Sequence, residues 1–146
     1  MRRNKRLLSL VAALTVLALA ACTAPELENR RWVLVAYGAP ERLQTVLRGS
    51  EISATFDRTQ GTVSGSAGCN RYSGRYVLRG SRLSIGRLTQ TEMACREPGG
   101  VMEQEQRYLR LLANVESYRV VGPGLRISCA GGQVLLCRLG EWPRHR

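Results

Sequence analysis

The chain has 146 residues, of which 22 are basic and 11 acidic, for a formal net charge of +11 with a single histidine. That length suits one domain with one real core and excludes a second. His145 stands second from the end, which leaves Cys–His and Ser–His–Asp catalysis without a base, and the scattered cysteines offer no close Cys-x-x-Cys or His pair to propose a zinc site.

Met1 to Arg6 carries four positive side chains and Leu7 to Ala21 is an uninterrupted run of low polarity, the layout of an export signal over residues 1–21. As a helix that run reaches about 22 Å, short of the roughly 30 Å hydrocarbon core, so it is not a permanent span. It ends in Leu19-Ala20-Ala21-Cys22, which resembles the lipobox of bacterial lipoproteins. The resemblance implies that Cys22 becomes an acylated N-terminus; an ordinary secretory peptide would be cut nearby and leave it a thiol. At roughly 0.8 kcal/mol per buried methylene, two or three acyl chains make a stable anchor. Thr23 rather than Asp follows, which in the sorting pattern of such lipoproteins points to the periplasmic face of the outer membrane. Residues 22–30 then read as lipidated terminus and tether, Thr23 to Asn29 spanning at most about 25 Å. Without Arg2, Arg3, Lys5 and Arg6 the chain keeps 18 basic residues against 11 acidic, a net of +7 carried by arginine alone. An exported chain tethered to a bilayer meets no nucleic acid. Its arginine excess points instead to anionic lipid, glycolipid or cell wall, or to an envelope protein client.

Trp32 to Tyr37, rich in aromatic and β-branched residues, predicts a core-facing first strand ended by Gly38-Ala39-Pro40. A polar stretch with no predicted element leads to Glu51 to Asp57, where Ile52, Ala54 and Phe56 alternate with polar residues in a half-buried strand. Gly61, Gly65, Gly68 and Gly74 make Thr62 to Tyr76 too glycine-rich for an ordinary strand and predict a bent corner. From Tyr72 the alternation is strict, with Tyr72, Gly74, Tyr76 and Leu78 on one side and Arg71, Ser73, Arg75 and Arg79 on the other. After the Arg79-Gly80-Ser81 turn, Leu83 and Ile85 open a further strand.

Pro98-Gly99-Gly100 ends the β run, and Val101 to Val115 takes helical spacing. Met102, Leu109 and Leu112 share one face with Tyr108 and Val115 at its margin; Glu103 and Arg107 form an i,i+4 pair, and the Glu and Arg residues make a solvated face. Tyr118 to Val121, Leu125 to Cys129 and Val134 to Leu139 are three more strands, and residues 141–146 a polar tail. Seven short strands and one helix predict an α+β domain over residues 31–140: a strongly curved, mostly antiparallel sheet or partial barrel closed by the helix.

GSAGCNRYSGRY at Gly65 to Tyr76, followed by TEMAC at Thr91 to Cys95, resembles the META domain family, of the HslJ-like heat-shock lipoprotein type, over Arg31 to Leu139. The resemblance implies the same curved sheet and a setting in envelope stress and antibiotic tolerance, with no established reaction. It also favours a Cys69–Cys95 disulfide, since both cysteines stand in the paired motifs; closing that loop is worth about 3.5 kcal/mol in the chain-entropy model. Cys129 and Cys137 depart from the family pattern. A regular hairpin around Gly131-Gly132 sets residue 133 or 134 opposite Cys129 and leaves Cys137 roughly 10–13 Å away, beyond the ~7 Å reach of a bridge. They are then small buried hydrophobes, or a second bridge if the turn is irregular.

No cofactor or metal motif emerges. Gly65 to Gly68 is not a nucleophile elbow, because position 64 is Ser, and not a Walker loop. Glu92 and Glu97 flank Cys95 as solvated loop carboxylates. Asn70, Arg71, Tyr72, Arg75 and Tyr76 cluster at the glycine corner, where amide, guanidinium and phenol suit a polar ligand. The same residues also suit a structural role, Asn70 as a backbone cap and the tyrosines as core. Arg71, Arg75 and Arg79 line one strand face, as a site or as a wet face. Two functions fit: a non-catalytic, lipid-anchored envelope module, or a protein-binding inhibitor or assembly pilot. For the inhibitor, Ser73-Gly74-Arg75-Tyr76 resembles the SGxxY loop of membrane-bound lysozyme inhibitors, one residue short.

Overall fold

The computed structural model describes residues 27–141; the export segment, Cys22 and residues 142–146 with His145 lie outside them. Among them ten strands and one α-helix follow in order: β1 (Arg31–Ala39), β2 (Arg42–Thr45), β3 (Ser53–Asp57), β4 (Thr62–Ser66), β5 (Arg71–Arg79), β6 (Arg82–Ile85), β7 (Thr89–Gln90), α1 (Val101–Ala113), β8 (Val115–Val121), β9 (Gly124–Cys129) and β10 (Val134–Leu139). The apolar sequence of β1 is explained by its neighbours. One edge pairs with β10 from Trp32 to Gly38, while the other takes β3 at Arg31–Val33 and β2 at Ala36–Ala39. The β1–β10 pairing closes β1, β3, β4, β5, β6, β8, β9 and β10 into an antiparallel barrel of eight strands, with β2 and β7 as short additions.

The α+β class, the antiparallel sheet and the single helix are those of the sequence reading, and the barrel is closed rather than partial. Three strands escaped it. Every residue of β2 and β7 is exposed, so neither shows an alternation of apolar and polar positions. The third is β4, which the glycines argued against; it pairs with β3 on one edge and β5 on the other. Gly65 serves close approach of two strands rather than the bend expected there, and the turn itself falls to Gly68 at φ +117.

Trp32, Ile52, Phe56, Val63, Leu83 and Leu135 fill the barrel, joined by Tyr108 and Leu112 of α1. Each such side chain contributes about 1.5–3 kcal/mol on burial. The buried face of α1 is Val101, Gln104, Glu105, Tyr108 and Leu112, whereas Met102 and Leu109 are only half-buried. The apolar stripe expected from sequence is thus rotated, and the solvated face expected for the helix carboxylates fails at Glu105. Arg107, expected to pair with Glu103, instead donates to Gln44 Oε1 at 2.9 Å and sits 5.6 Å from the centroid of the Tyr37 ring.

The end of the expected tether over residues 22–30 overlaps the packed domain. Leu27 is buried, and its carbonyl accepts the Trp32 indole N–H at 2.8 Å, a bond that a fully enclosed indole requires. Glu28 accepts from Tyr76 and pairs with Arg58, and Asn29 N–H donates to Phe56 O. Residues Leu27 to Asn29 therefore belong to the packed domain. The registers also define two ends. At one lie Leu27–Arg30 and the β3–β4, β5–β6 and β8–β9 turns; at the other lie α1, the β4–β5 corner and the β9–β10 turn.

Candidate functional site

The motif residues build a lock. Cys69 and Cys95 form a disulfide with a Cα–Cα distance of 5.9 Å. Asn70, 1 % exposed, uses its whole amide: Nδ2 donates to Met93 O at 3.0 Å and Glu105 Oε1 at 2.7 Å, and Oδ1 accepts from Thr91 Oγ1 at 2.8 Å and Met93 N–H at 2.7 Å. Glu105, also 1 % exposed, accepts at its other oxygen from the backbone N–H groups of Cys69 at 3.1 Å and Asn70 at 2.6 Å. The two motif stretches and α1 are thereby bound together, and Asn70 has no side-chain capacity left for a ligand.

The six candidate binding residues do not converge. Asn70, Tyr72 and Tyr76 are buried, whereas Arg71, Arg75 and Arg79 are exposed on the outer face of β5. The Tyr72 hydroxyl donates to Ser53 O at 2.9 Å and lies 2.7 Å from that of Tyr108; burial raises both phenols above the ordinary range. The Tyr76 hydroxyl donates to Glu28 Oε1 at 2.6 Å, and burial together with that bond raises it too. Ser73 to Tyr76 lies within a paired strand with Tyr76 turned inward, so the resemblance to an inhibitor loop has no loop to rest on.

Cys129 and Cys137 are free. The Cys129 N–H donates to Gln133 O at 2.8 Å, while Cys137 stands opposite Leu125 and Leu34, so the regular hairpin keeps them apart. Burial pushes both thiols up to about 12, from an ordinary value of 9.0. A raised acid holds its proton more tightly when folded, so its contribution is whole below pH 9.0 and lost as pH climbs to about 12. We expect the native protein to resist thiol reagents at pH 8. Its unfolding free energy should fall above pH 9 with a slope approaching ~1.4 kcal/mol per pH unit for each thiol, the buried tyrosines steepening it higher still. Titrating denaturant midpoints from pH 7 to 11 checks this, a flat profile being the contrary result.

The open surface with chemistry lies elsewhere, at the seam between β6 and β8. Only Arg82 and Ser117 stand in register there, so the barrel wall parts into a groove of about 890 Å³ lined by Arg79, Arg82, Ser84 and Glu116. A second hollow of about 440 Å³, lined by Tyr118, Arg119, Arg126 and Ser128, shares Ser81 and Ser117 with the first. Two like-charge cross-strand pairs flank the seam, Arg79 opposite Arg82 and Arg119 opposite Arg126. Such pairs cost stability. Among the described residues none of the four lies within 4.0 Å of a carboxylate, the ion pairs being Arg31–Glu51 and Arg58–Glu28. Sequence alone foretold Arg79 but not its three companions, because cross-strand register brings them together.

A profile of the META domain matches residues 25–141. Comparison with curated proteins finds no significant match. Among solved structures the chain is similar to a protein from Burkholderia xenovorans determined by NMR, at 30% identity and TM-score 0.65, over 80% of this chain and 85% of that one. It is also similar in fold to another protein determined by NMR, at 23% identity and TM-score 0.57 over 77% and 90%. A crystallised DUF4847 family protein from Bacteroides vulgatus ATCC 8482 follows, at 14% identity and TM-score 0.55 over 77% and 94%. With its paired motifs locked onto the one helix of a closed barrel, the chain belongs to the META domain family.

Proposed function

We propose that this META domain chain is a non-catalytic, lipid-anchored periplasmic protein that supports envelope integrity under stress by contacting an anionic envelope component. The observation that carries the reading is the seam, where four exposed arginines stand without a carboxylate partner among the described residues, at the barrel end where Leu27 is packed. An acyl group on Cys22 would leave only residues 23–26 before the packed Leu27, at most about 14 Å of chain. That leash holds this end of the barrel at the headgroups, within reach of a negative surface potential. Family membership supports a role by binding rather than turnover. Expression of Cys22→Ala in the native host, followed by fractionation, tests the anchor. The variant is expected to move from the membrane to the soluble periplasmic fraction; unchanged membrane retention would refute acyl anchoring.

A further inference from the structure

We propose that the β6–β8 seam is a binding site for phosphate groups of lipid headgroups. The proposal rests on the membrane-facing reading above and assigns its contact to named residues. One outer row crosses four strands as Arg79, Arg82, Ser117 and Ser128. The next row, nearer the N-terminal end, holds Arg119 opposite Arg126. Strands stand about 4.8 Å apart and alternate residues about 6.6 Å along a strand, so the Cα atoms of Arg82 and Arg119 are roughly 8 Å apart. Guanidinium groups on long flexible stems close that gap readily around one or two phosphates, and each presents a planar fork that matches phosphate oxygens in bidentate fashion.

The serines between them add neutral donors. Ser81 and Ser117 belong to both hollows and Ser84 and Ser128 to the flanks, so hydroxyls form the floor between the arginine pairs. Among the described residues no carboxylate pairs with either couple, so repulsion across each falls when an anion sits between the charges. Glu116 is the carboxylate in the groove, beyond Arg82 on the side away from the N-terminal end. The β5–β6 and β8–β9 turns beside the arginines lie at the end where Leu27 is packed, so an anchored N-terminus and this site face the same surface. A soluble polyanion gains nothing from that coincidence, whereas a headgroup does.

The test uses the mature chain with Cys22→Ser, so that no acyl anchor contributes. Partition onto phosphatidylcholine vesicles with and without phosphatidic acid is compared for three proteins: this chain, R79Q/R82Q/R119Q/R126Q, and R42Q/R48Q/R96Q/R110Q. The last removes equal charge from exposed arginines at the opposite end. With about fivefold in partition per arginine near an anionic surface, the seam variant should lose more than about a hundredfold and the control less than about threefold. Both variants should keep the parent's circular dichroism, and the seam variant should melt at the same or a higher temperature because its like-charge pairs are gone. Pyrophosphate should displace the parent from vesicles and shift the amide resonances of Ser81 and Ser117. Equal losses in the two variants would overturn the site and leave the membrane-facing reading intact. Binding without displacement by pyrophosphate would overturn phosphate recognition, and no salt-dependent binding by the parent would overturn both readings.

Discussion

Replacing Gly65 by alanine is expected to cost more than about 4 kcal/mol, the largest effect of any glycine-to-alanine change among the described residues. The position has no positive φ, so nothing in its own backbone conformation forbids a side chain. The obstacle is the neighbouring strand. A Cβ at Gly65 would lie 1.9 Å from the carbonyl oxygen of Ser53 and 2.6 Å from its carbon. Main-chain atoms cannot swing aside as a side-chain tip does, so β3 and β4 must separate. The same Ser53 oxygen accepts the Tyr72 hydroxyl at 2.9 Å, so the shift also disturbs the buried Tyr72–Tyr108 pair. Two comparisons isolate the cause. Gly86→Ala, whose new Cβ would be 3.6 Å from its nearest contact at ordinary φ, should be neutral or stabilising by about 0.4–1 kcal/mol. Gly61→Ala meets open space but sits at φ +64, and should lose about 1 kcal/mol through backbone strain. Urea denaturation of the three oxidised proteins gives the ranking, and a Gly65→Ala protein within 1.5 kcal/mol of the parent would refute the close approach.

That glycine shows which part of the fold was legible. Period-two alternation disclosed the strands around Phe56, Tyr72 and Ile127 because each buries one face and wets the other. It was silent for Arg42–Thr45, which is exposed throughout, and it misled at Thr62–Ser66, where glycine density signals two backbones in contact. Barrel closure was invisible for a different reason. It depends on β1 meeting β10, about a hundred residues away, and no local pattern states a partner. The candidate site divides along the same line. Tyr72 and Tyr76 were readable as core and Arg75 and Arg79 as surface, but the arginine seam arises from pairings between strands that sequence does not join. The reading of α1 failed where a polar side chain is buried for the sake of its bonds, since periodicity counts only apolar residues.

Glu105→Ala should lose on the order of 4 kcal/mol, the second largest effect, because three donors then lose their acceptor inside the protein. The N–H groups of Cys69 and Asn70 and the Asn70 amide all end on this carboxyl group. Each buried donor left unpaired costs about 1–3 kcal/mol. Glu105→Gln separates the bonds from the packing. Its amide keeps the shape and one acceptor oxygen but turns an NH2 group toward donors, so it should cost about 2 kcal/mol rather than nothing. Glu103→Gln, exposed two residues earlier, should stay within 0.5 kcal/mol of the parent. The lock also predicts coupling to the disulfide. Cys69 supplies one of the donated N–H groups and half of the bridge, so reduction frees the corner that Glu105 restrains. The penalties of Glu105→Ala and of Cys69→Ser/Cys95→Ser should therefore fall short of additive by about 1 kcal/mol or more in a double-mutant cycle. Strict additivity would mean that the bridge and the carboxyl group hold separate parts of the corner, and that the two motifs are neighbours without being one structural unit.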